Sequence, residues 1–238
     1  KWKGPEGLAE DVRYYGQWML SEVQARIGHL YPKATLSGSK EATVIAWLWA
    51  RTVSSPDPLA KGAHVPLVSS FILSTKKNRQ AWASIVRDAT AKDGWKFAVE
   101  SGQLTPESEK KLRLGTKGGK AEAFVCSLTG SPIERSYIQA EGKAGRLGIR
   151  LMAIVADGGR ARAYLSPNSV HERAVDGIDD DPSVLDARST YLASATPTRA
   201  MITGGVCSAY GLSTWGHLFT SRQLKALTTL LLLIAEGR

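Results

Sequence analysis

Cysteine is nearly absent from this chain. Only Cys126 and Cys207 occur in 238 residues, too few and too far apart for a disulfide framework, so a reducing cytoplasm fits the sequence better than a secreted scaffold. Long apolar runs are missing as well. The longest, Leu227 to Ala235, is nine residues, well short of the ~20 that a bilayer-spanning helix needs, and neither terminus reads as a targeting signal. Acidic residues are in deficit: 22 Asp and Glu stand against 31 Lys and Arg, a formal charge of +9. That balance favours anionic partners such as nucleic acid.

Signatures of catalysis are missing too. His29, His64, His171 and His217 stand singly, with no HExxH spacing and no neighbouring Cys or His to complete a metal set, so each reads as a packing or surface residue. No Gly-x-Ser-x-Gly elbow supports a hydrolase. Cys126, in VCSLTG, reads as a buried structural thiol and not as a nucleophile. No catalytic, cofactor-binding or metal-ligating residue is assigned on these grounds.

What is present is enough apolar side chain, 43% of the residues, for one substantial core or two small ones. From Pro5 to Ile27 the residues Leu8, Val12, Tyr15, Met19, Val23 and Ile27 share a helical face, with proline at the start and Gly28 and Pro32 at the end. Glu41 to Ser55 is a β-branched and aromatic stretch, as a strand covered on both sides would be. His64–Ser74, Ala81–Ala89 and Gly94–Gly102 read as strands of an antiparallel meander, and Thr105-Pro106 starts a charged helix to about Leu114. A basic loop, Gly115 to Lys120, comes next. Ser131, Pro132 and Glu134 have the spacing of a capping box, which predicts a helix from Pro132 with Gly142 as its C-cap. Gly148 to Pro167 reads as a hairpin turning at Asp157-Gly158-Gly159. A helical turn near His171 and an acidic, then Ser/Thr/Pro-rich excursion follow, before Thr220 and Gln223 cap a leucine-rich helix from Ser221 to Ala235.

These elements predict an α+β fold: an antiparallel sheet flanked by N- and C-terminal amphipathic helices. The expected segments are an N-terminal helical part (1–40), a mixed antiparallel β/α module (41–167), an irregular excursion (168–212) and a C-terminal helix (213–238). The chain opens KWKGPEGL with no initiator Met and stops just after a strong helix, which reads as a piece of a longer polypeptide.

The stretch IQAEGKAGRLGIR, Ile138 to Arg150, gathers three glycines and several basic residues. A nucleotide-binding P-loop needs strand, glycine turn, then helix, so that free N–H groups at the helix N-terminus face the phosphates. Here the predicted order is reversed, and Lys143 precedes Ala144 instead of Ser or Thr. Two readings stay open: a helix-ending turn with Lys143 and Arg146 complementing the dipole, or a polyanion contact in which Lys143, Arg146 and Arg150 are joined by Arg160 and Arg162 if the hairpin folds back. Lys76, Lys77 and Arg79, in STKKNRQAW, form a second phosphate-contact candidate. Trp82 and Trp95 lie among basic strands that also hold Arg87 and Lys96, where core packing competes with base stacking.

Several stretches taken together, GLAEDVRYYGQWML, RIGHLYPKATL, EATVIAWLWARTV, VPLVSSFILSTKK, AEGKAGRLGIRLMAIV and TWGHLFTSRQLKALTTL, resemble one family over nearly the whole chain and in order. It is the bacterial family of adenine-specific DNA methylases that carry a zinc ribbon or its degenerate remnant. The resemblance implies the region between the S-adenosylmethionine-binding glycine motif and the Asp-Pro-Pro-Tyr catalytic motif, neither of which occurs in these residues. It therefore implies a DNA-recognition insert of a methyltransferase, with S-adenosylmethionine bound by the rest of the polypeptide. It also implies zinc-ribbon-like hairpins, whose knuckles match SSPDPLAKG after Val53 and the VCSLTG turn. Only Cys126 of the expected cysteines remains, so no zinc is expected. DNA and the catalytic domain are the implied partners, with restriction-modification or phage defence as setting. A structural or protein-interaction module of a defence complex is the alternative.

Overall fold

A computed structural model of the chain describes residues 4–118, 124–197, 207 and 209–237. The end of the predicted basic loop (residues 119 and 120) and part of the Ser/Thr/Pro-rich stretch (198–200) lie outside the described residues. The first half of the chain runs α1 (Pro5–Ile27), β1 (Ala34–Thr35), β2 (Glu41–Ala42), β3 (Val44–Ser54), β4 (His64–Leu67), β5 (Ile72–Ser74), β6 (Ala81–Arg87), β7 (Trp95–Ser101) and α2 (Pro106–Leu114). The second half runs β8 (Phe124–Val125), β9 (Pro132–Ile133), α3 (Arg135–Lys143), β10 (Gly148–Asp157), β11 (Arg162–Leu165), α4 (Ser169–Arg173), α5 (Pro182–Asp186) and α6 (Ser221–Glu236). The fold is α+β, and every strand pair among the described residues is antiparallel.

Two compact units divide the chain. One gathers Lys1–Pro32, Val170–Ala195 and Thr214–Arg238; the other holds Lys33–Ser169 and Thr196–Ser213. In the first, Pro5 opens α1 and a complete capping box opens α6, the Thr220 hydroxyl accepting from Gln223 N and the Gln223 side chain accepting from Thr220 N. Arg26 near the end of α1 reaches Glu236 near the end of α6 at 2.6 Å. The core here is Ile27, Leu30, Ile178, Val184, Ala187 and Leu224. The stretch expected to be irregular supplies half of it. Residues 178–191 are short helical turns because the Asp181 side chain caps α5 with Pro182 behind it, and because Ile178, Val184 and Ala187 gain burial by coiling.

The second unit carries a four-stranded sheet, β11-β10-β3-β4, and a three-stranded one, β5-β6-β7. His64–Ser74, expected as a single strand, is divided between them. The break has a local cause: Val68 N donates to the Thr116 hydroxyl, Phe71 N to Leu112 O and Ile72 N to the Ser70 hydroxyl, so pairing with β3 stops at Leu67. Ala50, Val68, Ala83, Trp95 and Phe97 make a core with side chains from both sheets, while Val53, Val65, Phe124, Cys126, Ile133 and Ile138 make another beside α3.

Candidate nucleic-acid interface

The glycine-rich segment 138–150 forms a packed turn. The predicted capping box does not form, because the Ser131 hydroxyl donates to the Asp57 carboxylate and Pro132–Ile133 pairs as β9; α3 begins at Arg135 after Glu134. Gly142 is not the C-cap. It lies inside α3 and is buried, and a Cβ there would overlap the Tyr210 carbonyl. The helix ends at Lys143 with Ala144 as its C-cap, and Gly145 takes the left-handed conformation that follows, φ +70°. Gly148 faces Thr52, whose hydroxyl would stand 2.6 Å from an added Cβ.

The cations of the segment are mostly engaged. Arg146 reaches Glu141 through two hydrogen bonds, 2.6 and 2.9 Å, and its guanidinium holds the Glu141 carboxyl below the usual carboxylate range. Arg150 is further from solvent. It pairs with Asp93, donates to Trp95 O at 2.8 Å and stacks over the Trp95 ring, 4.2 Å from its centroid. Trp95 itself is fully buried, its indole N–H on His64 O, and His64 N donates to Asp93. Arg150 thus ties β10 to the start of β7 and to β4. Arg150, expected as a phosphate contact, has its guanidinium fork engaged by Asp93 and Trp95. Lys143 alone of the three is exposed and outside any ion pair among the described residues.

Arg160 and Arg162 are exposed but stand elsewhere. On β10, Gly148 pairs with Thr52 at one end and Asp157 with Arg162 at the other; nine steps of about 3.3 Å separate those ends by roughly 30 Å. The five-cation footprint around the glycine segment does not assemble.

A different turn presents free charge. Between β5 and β6, Lys76, Lys77 and Arg79 are exposed, and none enters an ion pair among the described residues. Asn78 takes the left-handed conformation at φ +59°, and Arg79 N donates to Lys76 O at 2.8 Å. Gln80 anchors the turn: its side-chain carbonyl accepts from Leu104 N and its backbone carbonyl from Gly102 N. Trp82, two residues on, is partly buried. Of the neighbouring cations, Arg87 is exposed, whereas Lys96 pairs with Asp88 at 2.8 Å.

The two loops matched to zinc knuckles meet. The Ser55 hydroxyl lies 3.3 Å from Cys126 Sγ, and Asp57 accepts from Ser131 and from Leu59 N. Burial alone would push the Cys126 thiol up, but hydrogen bonds from Ser55, Thr129 and the backbone of Leu128 and Thr129 bring it below its ordinary value. One thiol among hydroxyls does not match the four N or S ligands of tetrahedral zinc, and no group of three or more His, Cys, Asp or Glu gathers as a metal set among the described residues.

In the first unit, a cavity of about 430 Å³ is lined by Arg26, His29, Asp176, Asp180, Asp181 and Lys225, among others. Of its basic groups, Arg26 pairs with Glu236 and Lys225 with Asp181 at 2.7 Å. The helices of that unit also leave apolar side chains uncovered: Leu8, Val12 and Tyr15 on α1, and Leu231, Leu232 and Ile234 on α6. No helix among the described residues is long and apolar enough to cross a membrane.

No family model, curated protein or solved structure matches the chain.

Proposed function

We propose that the chain is the DNA-recognition insert of an adenine-specific (N6) DNA methyltransferase, holding the DNA backbone and helping to position the target adenine. Methylating that nitrogen requires the base to leave the stack, so an element outside the catalytic domain must grip the strand around it. S-adenosylmethionine and the methyl-transfer residues belong to the catalytic domain of the same polypeptide, and the cytoplasm is the setting. The sequence resemblance and the +9 charge support this reading. The observation that carries the DNA contact is the β5–β6 turn, where Lys76, Lys77 and Arg79 project without ion-pair partners from an anchored hairpin. Lys143, Arg160 and Arg162 are accessory contacts, while Arg146 contributes only if it leaves Glu141.

The test is binding of the 238-residue chain to a labelled duplex over a salt series. Backbone contact predicts affinity that falls linearly in log–log form as salt rises. A folded chain with no salt-dependent binding would contradict it.

A second reading, a protein-interaction module of a defence complex, is favoured by the uncovered apolar residues of α1 and α6, with Leu8 69% and Leu231 61% exposed. Scattered leucines are ordinary on surfaces, but neighbours on successive helical turns form a patch that a partner protein covers. Substituting Leu8 and Leu231 with Glu abolishes such an association and leaves duplex binding intact.

A further inference from the structure

We infer that Trp82 and the Lys76–Arg79 turn form one contact for single-stranded nucleic acid, with the indole stacking on an unpaired base while the turn holds the adjoining phosphates. This rests on the backbone-binding reading above and adds the state of the strand that is bound.

The strand pleat places the tryptophan. Ala81 and Ala83 are buried in the core at 3% and 0% exposure, and alternation along β6 turns Trp82 to the opposite face of the sheet. There it sits in a row with Ile72 on β5 and Glu100 on β7, its direct partners across the strands. Its ring runs beside the backbone of Gly102, where a Cβ would come within 3.6 Å of the ring. Gly102 and Leu104 are in turn held by Gln80, the residue between the cations and the strand. The ring is thus supported on one side by fixed backbone and remains partly open to solvent.

Distance and chemistry then select the occupant. Arg79 and Trp82 are three residues apart, so no more than about 10 Å of extended chain separates their backbones, a reach suited to a phosphate and a base of the same strand. An aromatic beside free cations is the combination that binds unstacked bases without reading sequence. A base paired inside a duplex offers no free face to the indole. Trp95 does not have this capacity because it is fully buried under Arg150. Glu100 is exposed beside Trp82 and repels phosphate, so the contact is weaker than its cations alone would make it.

The experiment compares a short oligothymidylate with a mixed-sequence duplex, using the wild-type chain and the variants Trp82→Leu, Trp82→Phe, Glu100→Gln and the triple Ala variant of Lys76, Lys77 and Arg79. Trp82→Leu keeps apolar bulk without a π-face and is expected to weaken oligothymidylate binding about tenfold while duplex affinity stays put. Trp82→Phe retains most of the affinity, and Glu100→Gln tightens it. Photocrosslinking of the wild-type protein to a bromouracil-substituted oligonucleotide, expected on the Trp82 peptide, answers the question even if Trp82→Leu fails to fold. A folded Trp82→Leu with unchanged oligothymidylate affinity, or crosslinks mapping only elsewhere, overturns the inference; if the triple Ala variant still loses duplex binding, the backbone grip stands without it. Equal, turn-dependent binding of an acidic polypeptide overturns it in favour of a protein partner. Absence of salt-dependent binding to both nucleic acids removes the underlying reading as well.

Discussion

Arg150 and Lys143 look alike in the sequence, and only their partners distinguish them. Arg150 is matched by Asp93, 57 positions away, and lies on Trp95, whereas no ion pair among the described residues involves Lys143. Removing one side of a mostly buried pair strands the other charge. Arg150→Met is therefore expected to cost about 2–3 kcal/mol in denaturant unfolding, less than a fully buried pair would because the Arg150 side chain keeps 19% of its exposure. Lys143→Ala is expected to leave the midpoint unchanged. His171 sets a pH dependence in the first unit. It is 2% exposed, and burial together with the Arg222 charge lowers its pKa below 6.5. Its neutral form is favoured by folding, so its contribution is fully present above pH 6.5 and is lost as the pH falls through the depressed value. Urea midpoints measured from neutral pH down to about pH 5.5 should drop more for wild type than for His171→Gln; equal slopes would show that His171 is not the group responsible.

Among the elements, those written in neighbouring residues were legible. Thr105 with Pro106 starts α2 and Thr220 with Gln223 starts α6 at the expected places, because each cap is satisfied within three residues. Thr220→Ala is expected to destabilise by about 1 kcal/mol, read in thermal unfolding. The matching signal at Ser131 and Glu134 misled because Asp57, 74 positions earlier, takes the Ser131 hydroxyl, and no local pattern announces such a competitor. Gly142 misled for the same reason: its neighbour is Tyr210, brought by the fold. Gly142→Ala should accordingly cost more than Gly145→Ala. The first forces a methyl into the Tyr210 carbonyl, at about 1–3 kcal/mol or more; the second meets open space and bears only the left-handed backbone penalty, about 1 kcal/mol. Equal costs would contradict the close packing assigned to Gly142.

For the molecule as a whole, composition shows the sign of the net charge but not which surface carries it. A charge of +9 says nothing about which cations are spent internally, and the richest basic glycine segment proved to be the one whose arginines are paired. The β5–β6 turn was visible as a run of Lys and Arg at a predicted strand junction; that its charges stay free while those of 146 and 150 do not depended on where Glu141 and Asp93 lie. The boundary between units was also hidden, since the first unit draws on three separate stretches of chain. On the function proposed above, the β5–β6 turn, and not the glycine segment, grips the DNA backbone. This is tested most directly by comparing the salt dependence of duplex binding for the Lys76/Lys77/Arg79 triple Ala variant with that for a Lys143/Arg146/Arg150 triple Ala variant confirmed to be folded. A grip by the β5–β6 turn gives a log–log slope shallower by about 0.9 for each phosphate that the first variant no longer neutralises, and shallower by no more than about 0.9 altogether in the second. A slope unchanged in the first and reduced in the second would contradict it.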